Sequence, residues 1–190
     1  MIKAIVFDCF GVLTADSWRA FCDSLSETVD VNAARDLNHQ MDAGLLPRDD
    51  FAILVAQITG KTPQFVMDLI SNESSKNTQL LSYIVNLKPK YKIGLLSNVS
   101  SNWIRDSFLT VEERALFDQM VFSFDVGMTK PNPRMFELVC ERLGVGAEQA
   151  IMVDDVIHYC EAAIAVGMKA INYTEFNKFK TELESILAQT

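Results

Sequence analysis

Six polar side chains carry the chemistry this sequence could do. Asp8 ends the apolar run of IVFDCFGVLT, Ser97 and Asn98 end YKIGLLSN, Asp154 and Asp155 end QAIMVDD, and Lys130 lies in the loop GMTKPNP. Three carboxylates gathered in one pocket repel each other, so either some stay protonated or a cation sits among them. Hard oxygen ligands around an open polar cleft suit Mg²⁺ better than a softer metal. Lys130 can bring a further positive charge to the same edge, and Ser97 and Asn98 offer neutral hydrogen-bond donors. A carboxylate nucleophile, a dication, a lysine and a hydroxyl together suit attack on a phosphoryl group, whose oxygens need charge neutralisation above all.

Convergence of these residues requires a particular scaffold. The apolar runs KAIVFD, YKIGLLSN, DQMVFS, QAIMVDD and MKAINY are continuous rather than alternating, as strands of a parallel sheet covered on both faces must be. Helical patterns lie between them. PRMFELVCERLG has Pro133 near its start and Gly144 at its end, and IHYCEAAIAVG also stops at a glycine, Gly167. This alternation predicts an α/β fold with a doubly wound parallel sheet. Such sheets bind ligands beyond the carboxyl ends of their strands, where the polar residues stand.

One stretch breaks the rhythm. Between the first strand and YKIGLLSN no segment reads as a strand. DSWRAFCDSLSETV, VNAARDLNHQMDAG, RDDFAILVAQITG and TQLLSYIVNLK all read as helices, punctuated by Gly44 and Pro47, with Asp49 or Asp50 placed for a helix start. The reading is a small helical cap over residues 15–81 inserted into a core of residues 1–14 and 82–190. The C-terminal TEFNKFKTELESILAQT reads as an amphipathic helix packed on the sheet.

Composition narrows the partners. A net charge of −8 without a Lys/Arg cluster disfavours nucleic acid and anionic membranes. No apolar run approaches the ~20 residues of a membrane helix. Met1-Ile2-Lys3-Ala4 runs straight into a strand rather than a signal peptide. Cys9, Cys22, Cys140 and Cys160 form no C-x-x-C pair and read as reduced, mostly buried thiols of a cytoplasmic protein. The expected partner is a small phosphorylated substrate, and the chain is expected to be a monomer or homodimer.

IVFDCFGVLT, LLSN, GMTKPNPRMF and IMVDDVIHYCEAAIAVGM resemble, in order and over nearly the whole chain, the four motifs of the haloacid dehalogenase superfamily. The helical insert resembles the cap of one large branch, and FSFDVGMTKPNP with the paired aspartates resembles its sugar-phosphatase-like members. The resemblance implies a Rossmann-like core with Asp8 as a nucleophile that forms an aspartyl intermediate. It implies that Ser97 binds the transferred group with Asn98 and Lys130, and that Lys130 stabilises charge. It also implies that Mg²⁺ is held by Asp8, Asp154, Asp155 and the backbone carbonyl of Phe10.

Two departures stand out. Phosphatases of this family usually carry a second aspartate two residues after the nucleophile, which protonates the leaving group; here that residue is Phe10. Tyr159 stands where the branch often has an asparagine. Singly, the same residues have plainer readings. Asp8 can cap a turn, as can Ser97 and Asn98; Asp154 and Asp155 suit a helix N-terminus, and Lys130 a surface. Phe10 can pack at the pocket mouth, and His158 can cap or pack a first helical turn. Asp16 suits the N-cap of the first cap helix, although it could swing in as a substitute acid. The resulting expectation is a Mg²⁺-dependent phosphohydrolase that favours phosphate esters with good leaving groups. The alternatives are a 2-haloacid dehalogenase-like hydrolase, suggested by Phe10, and a catalytically weakened phosphate-binding or regulatory protein.

Overall fold

In the computed structural model, which describes residues 1–71 and 75–189, the five apolar runs are five strands. They are β1 (Ala4–Phe7), β2 (Lys92–Ser97), β3 (Gln119–Phe122), β4 (Ala150–Asp154) and β5 (Lys169–Asn172). All pair in parallel, in the order β3-β2-β1-β4-β5. The chain winds outward from β1 through β2 to β3, then crosses back to β4 on the other side. The β1/β4 junction is therefore the point where the winding reverses, the usual crevice of an open α/β sheet. Phe7 is paired with Val153 there, so Asp8 and Asp154 emerge side by side.

Alternate strand residues feed two cores, which is why each strand is apolar throughout. Ile5, Phe7, Ile93, Leu95, Ile151, Val153 and Ile171 face one side. There they meet Leu80, Leu81, Ile84 and Leu87 of α5 (Thr78–Leu87) and Phe179 and Leu183 of α10 (Phe176–Ala188). Ala4, Val6, Leu96, Val121, Ala150 and Met152 face the other, under α8 (Pro133–Leu143) and α9 (Ile157–Ala165). Pro133 opens α8 and Gly144, at φ 64°, closes it.

The intervening helices are α1 (Ser17–Asp23), α2 (Val31–Asp42), α3 (Arg48–Thr59) and α4 (Pro63–Ser71). They enclose a separate cluster of Met41, Phe51, Ala52, Val55 and Val66, with Trp18 against it. Four details differ from the sequence reading. The helix expected over DSWRAFCDSLSETV ends at Asp23, where the Ser24 hydroxyl donates to Phe21 O at 2.7 Å and Ser26 pairs with Thr28 at 2.7 Å. Short hydroxyl side chains compete with the helical ladder in this way. α3 starts at Arg48, with Asp49 and Asp50 in its first turn rather than at the N-cap. α4 was not expected at all. The boundary expected at residue 81 falls within α5, whose buried side chains belong to the sheet.

The chain leaves the core at Thr14 and rejoins it at Lys76, and these two residues form an antiparallel bridge. Asn77 reinforces it: its N–H donates to Leu13 O at 2.8 Å and its side-chain amide to Val12 O at 3.0 Å. The short α6 (Val111–Arg114) and α7 (Ser123–Val126) flank β3. All four cysteines are free and buried. Among the described residues, no helix is long and apolar enough to cross a membrane.

Candidate active site

Asp8 continues β1 beyond its last paired residue, its N–H bonded to Val153 O at 2.9 Å. Its Oδ1 accepts from Cys9 N at 2.7 Å, and its Oδ2 lies 2.9 Å from Lys130 Nζ. The same ammonium donates to Asp154 Oδ2 at 2.6 Å and sits 5.0 Å from the centre of the Tyr159 ring. Lys130 is wholly buried, which is unusual for lysine and sustained by the paired acids. Asp154 Oδ1 accepts from Val156 N at 2.9 Å. Asp8, Asp154 and Asp155 each offer an oxygen, all within 4.8 Å of one another, so their geometry fits a single hard cation.

These charges perturb one another. Burial pushes the Asp8 carboxyl up to about 7, with Asp154 and Asp155 adding to the rise and Lys130 opposing it. Burial disfavours the Lys130 ammonium, but Asp154 and Asp8 outweigh it and hold the group well above its ordinary value. Asp155 is also raised, by burial first, against the pull of Arg19. A pocket that raises acids while enclosing a cation is short of positive charge, as expected where a metal belongs.

Arg19, on α1, reaches across to Asp155: Nη1 bonds to Oδ2, and Nη2 lies 3.4 Å from Oδ1. Gly11 lies beneath this pair at φ 79°, where a Cβ would fall inside van der Waals contact of the Asp155 carboxylate. Gly11→Ala is therefore expected to be destabilising by at least ~1–2 kcal/mol from backbone strain alone. It should also weaken Mg²⁺ binding by displacing Asp155. Unchanged denaturation midpoints and unchanged metal titration would contradict both expectations.

Ser97 ends β2 fully buried, and its Oγ has no hydrogen-bond partner among the described residues. A buried orphan hydroxyl calls for an explanation, and a ligand oxygen supplies one. Asn98 is otherwise engaged: its Nδ2 donates to Lys130 O at 3.1 Å and its Oδ1 accepts from Lys130 N at 2.8 Å. It fastens the lysine loop to β2. Phe10 stacks on Trp103, ring centres 6.0 Å apart.

A cavity of about 450 Å³ opens over these groups. Asp8, Phe10, Asn98, Lys130 and Tyr159 line it from the core side; Ser97, Asp154 and Asp155 do not reach its surface. Tyr159 occupies the wall against Lys130, and burial raises its hydroxyl to about 12, so it remains a neutral phenol. Asp16 is the N-cap of α1, with Oδ1 accepting from Arg19 N at 2.8 Å and Oδ2 lying 3.1 Å from Arg19 Nη2. His158 points away, two-thirds exposed and 3.6 Å from Glu161.

Arg19 and Asp42 escaped the sequence reading. Arg19 stands three residues after the helix-capping Asp16, a spacing that explains one partner but not the other. Asp42 ends α2, and an acid in the last turn of a helix opposes the helix dipole. That wrong-signed placement was the available signal.

The haloacid dehalogenase-like hydrolase family profile matches residues 5–173. D-ribitol-5-phosphate phosphatase of Bacteroides thetaiotaomicron is 26% identical over 211 aligned positions, spanning 98% of this chain and 99% of that protein. Bifunctional epoxide hydrolase 2 of Sus scrofa is 28% identical over 129 positions, but the chain spans only 23% of its length. Among solved structures, a HAD family enzyme of Bacteroides thetaiotaomicron in complex with magnesium and inorganic phosphate superposes with a TM-score of 0.65. It is 20% identical, over 92% of this chain and 95% of that one.

Proposed function

This chain belongs to the haloacid dehalogenase-like hydrolases, and from that premise we propose that it is a Mg²⁺-dependent phosphatase acting on a small phosphorylated metabolite, such as a sugar phosphate. The observation that carries this reading is the trio of Asp8, Asp154 and Asp155, close enough to share one cation and flanked by the buried Lys130. Asp8, Asp154, Asp155 and the Phe10 carbonyl would hold the ion. When bound, Mg²⁺ neutralises charge on the phosphoryl oxygens.

The chain's own residues do the rest. The Asp8 carboxylate attacks phosphorus to give an aspartyl phosphate, and water then hydrolyses it to free phosphate. Lys130 orients Asp8 through Oδ2 and counters charge on the transferred group. The Ser97 hydroxyl, which has no hydrogen-bond partner among the described residues, would donate to a phosphoryl oxygen that enters beyond the cavity wall. Asn98 contributes by fixing the Lys130 backbone. The full-length similarity to D-ribitol-5-phosphate phosphatase supports a polyol or sugar phosphate as substrate.

Chelation tests the reading. Hydrolysis of phosphate esters is expected to disappear in excess chelator and to return on adding Mg²⁺. Phosphatase activity that survives thorough chelation would overturn the metal assignment. Release of halide from 2-haloacids in chelator would favour the dehalogenase reading that Phe10 suggests.

A further inference from the structure

Phe10 cannot give a proton, yet expulsion of a simple alkoxide needs one. We propose that Asp42, the last residue of α2, is the general acid of this enzyme, reaching the leaving oxygen from the helical insert. The inference rests on the phosphatase reading above and completes its proton inventory.

Asp42 lines the same cavity as Asp8 and Lys130 and is 8% exposed. Its Oδ2 accepts from Asn38 Nδ2 at 2.9 Å, while its Oδ1 makes no hydrogen bond among the described residues. A buried carboxyl with one oxygen held and the other unengaged is oriented and still able to carry a proton. Its main chain is tied to the core. Ser123 Oγ, just past β3, lies 2.5 Å from Asp42 O and also accepts from Val99 N at 2.8 Å. This junction fixes the end of α2 over the carboxyl ends of β2 and β3, at the cavity that Asp8 and Lys130 also line.

The local field favours a retained proton. Burial pushes the Asp42 carboxyl up to about 7; Asp16 and Asp8 add to the rise, and Asn38 and Arg48 oppose it. The end of the α2 dipole acts in the same sense as the two acids. The competing donors are poorly placed. Both Asp16 oxygens are engaged by Arg19, and His158 lies outside the cavity.

The step balances. As the Asp8 oxygen–phosphorus bond forms, the bond from phosphorus to the ester oxygen breaks, and that oxygen takes the Asp42 proton to leave as an alcohol. The Asp42 carboxylate then accepts a proton from the water that attacks the aspartyl phosphate. Phosphate leaves, and both carboxyl groups return to their starting states.

The test is kcat/KM, in saturating Mg²⁺, across phosphate esters from p-nitrophenyl to simple alkyl, for the wild type, Asp42→Asn and Asp8→Asn. The wild type should show a shallow dependence on leaving-group pKa, and Asp42→Asn a steep one. The alkyl ester should lose about 10²-fold more than the aryl ester, the usual scale of acid assistance. An equal loss on every ester, or a steep dependence already in the wild type, overturns the proposal while leaving the phosphatase reading intact. If Asp42→Asn does not fold, the wild-type series decides: a shallow dependence upholds the proposal and a steep one overturns it. Turnover of no ester at all, or turnover indifferent to Asp8→Asn, defeats the phosphatase reading and this proposal with it.

Discussion

Asp8→Asn should lower phosphate-ester turnover by ~10⁴-fold or more, the scale seen when a covalent nucleophile is removed. Asparagine fills the same space and keeps one acceptor oxygen, for Cys9 N or Lys130 Nζ but not both. The backbone at the end of β1, held by the residue 8 N–H to Val153 O, should persist. Stability should move the other way. The folded Asp8 carboxyl keeps its proton to about 7, whereas its ordinary value is 3.8. Between those pH values the folded chain binds more protons than the unfolded one, so the wild type loses stability as pH rises through that window. The neutral amide removes this loss. In chelator at pH 8, Asp8→Asn should therefore melt above the wild type, and the gap should close as pH falls towards 4. A variant that keeps substantial turnover would exclude Asp8 as the attacking group, and one that melts well below the wild type would contradict the electrostatic account.

Lys130→Met should have the largest effect on stability. The ammonium is fully buried between Asp8 and Asp154, whose side chains are 7% and 0% exposed. Methionine fills much of the volume but leaves two acids facing each other without a cation. Removing one partner of a buried ionic cluster costs about 3–5 kcal/mol, because the charges left behind are uncompensated. The penalty should deepen as pH rises, since the orphaned carboxyls shed their protons only at a cost. Added Mg²⁺ should recover part of the loss and raise the midpoint of the variant more than that of the wild type, because the ion replaces the missing charge. Denaturant titrations with and without Mg²⁺ measure both effects. A loss below about 1 kcal/mol would place Lys130 among ordinary surface pairs.

The sheet was legible because burial on both faces forces continuous apolar runs, and three of the five, β1, β2 and β4, run directly into the polar residues of the site. Asp8, Asp154 and Asp155 were legible for the same reason, since strand ends on one edge must converge, whereas Lys130, in the loop before α8, was legible only from its motif. The insert was harder to read. α4 is short and follows GKTP closely, and its stability comes from packing Val66 into the insert's own cluster rather than from a long periodic face. Leu80, Leu81, Ile84 and Leu87 give α5 the same helical signature as its neighbours, so sequence pattern could not tell that it packs on the sheet. Arg19 and Asp42 join the site across contacts between insert and core, which no local periodicity encodes. Asn98 was expected at the substrate; it lines the cavity, and its amide also fastens the Lys130 backbone, a pairing 32 residues apart in sequence that no local pattern encodes.

The bridge between Thr14 and Lys76 has a consequence for how such a chain can change. The whole excursion hangs from a neck that is already closed, so the core does not depend on how long the excursion is. Doubling the length of a tied loop adds only ~0.6 kcal/mol of closure entropy. Helices can be lengthened, trimmed or exchanged beyond that neck while the sheet keeps its reacting groups in register. The exceptions are Arg19 and Asp42, which any replacement would have to supply again at the same two points of contact.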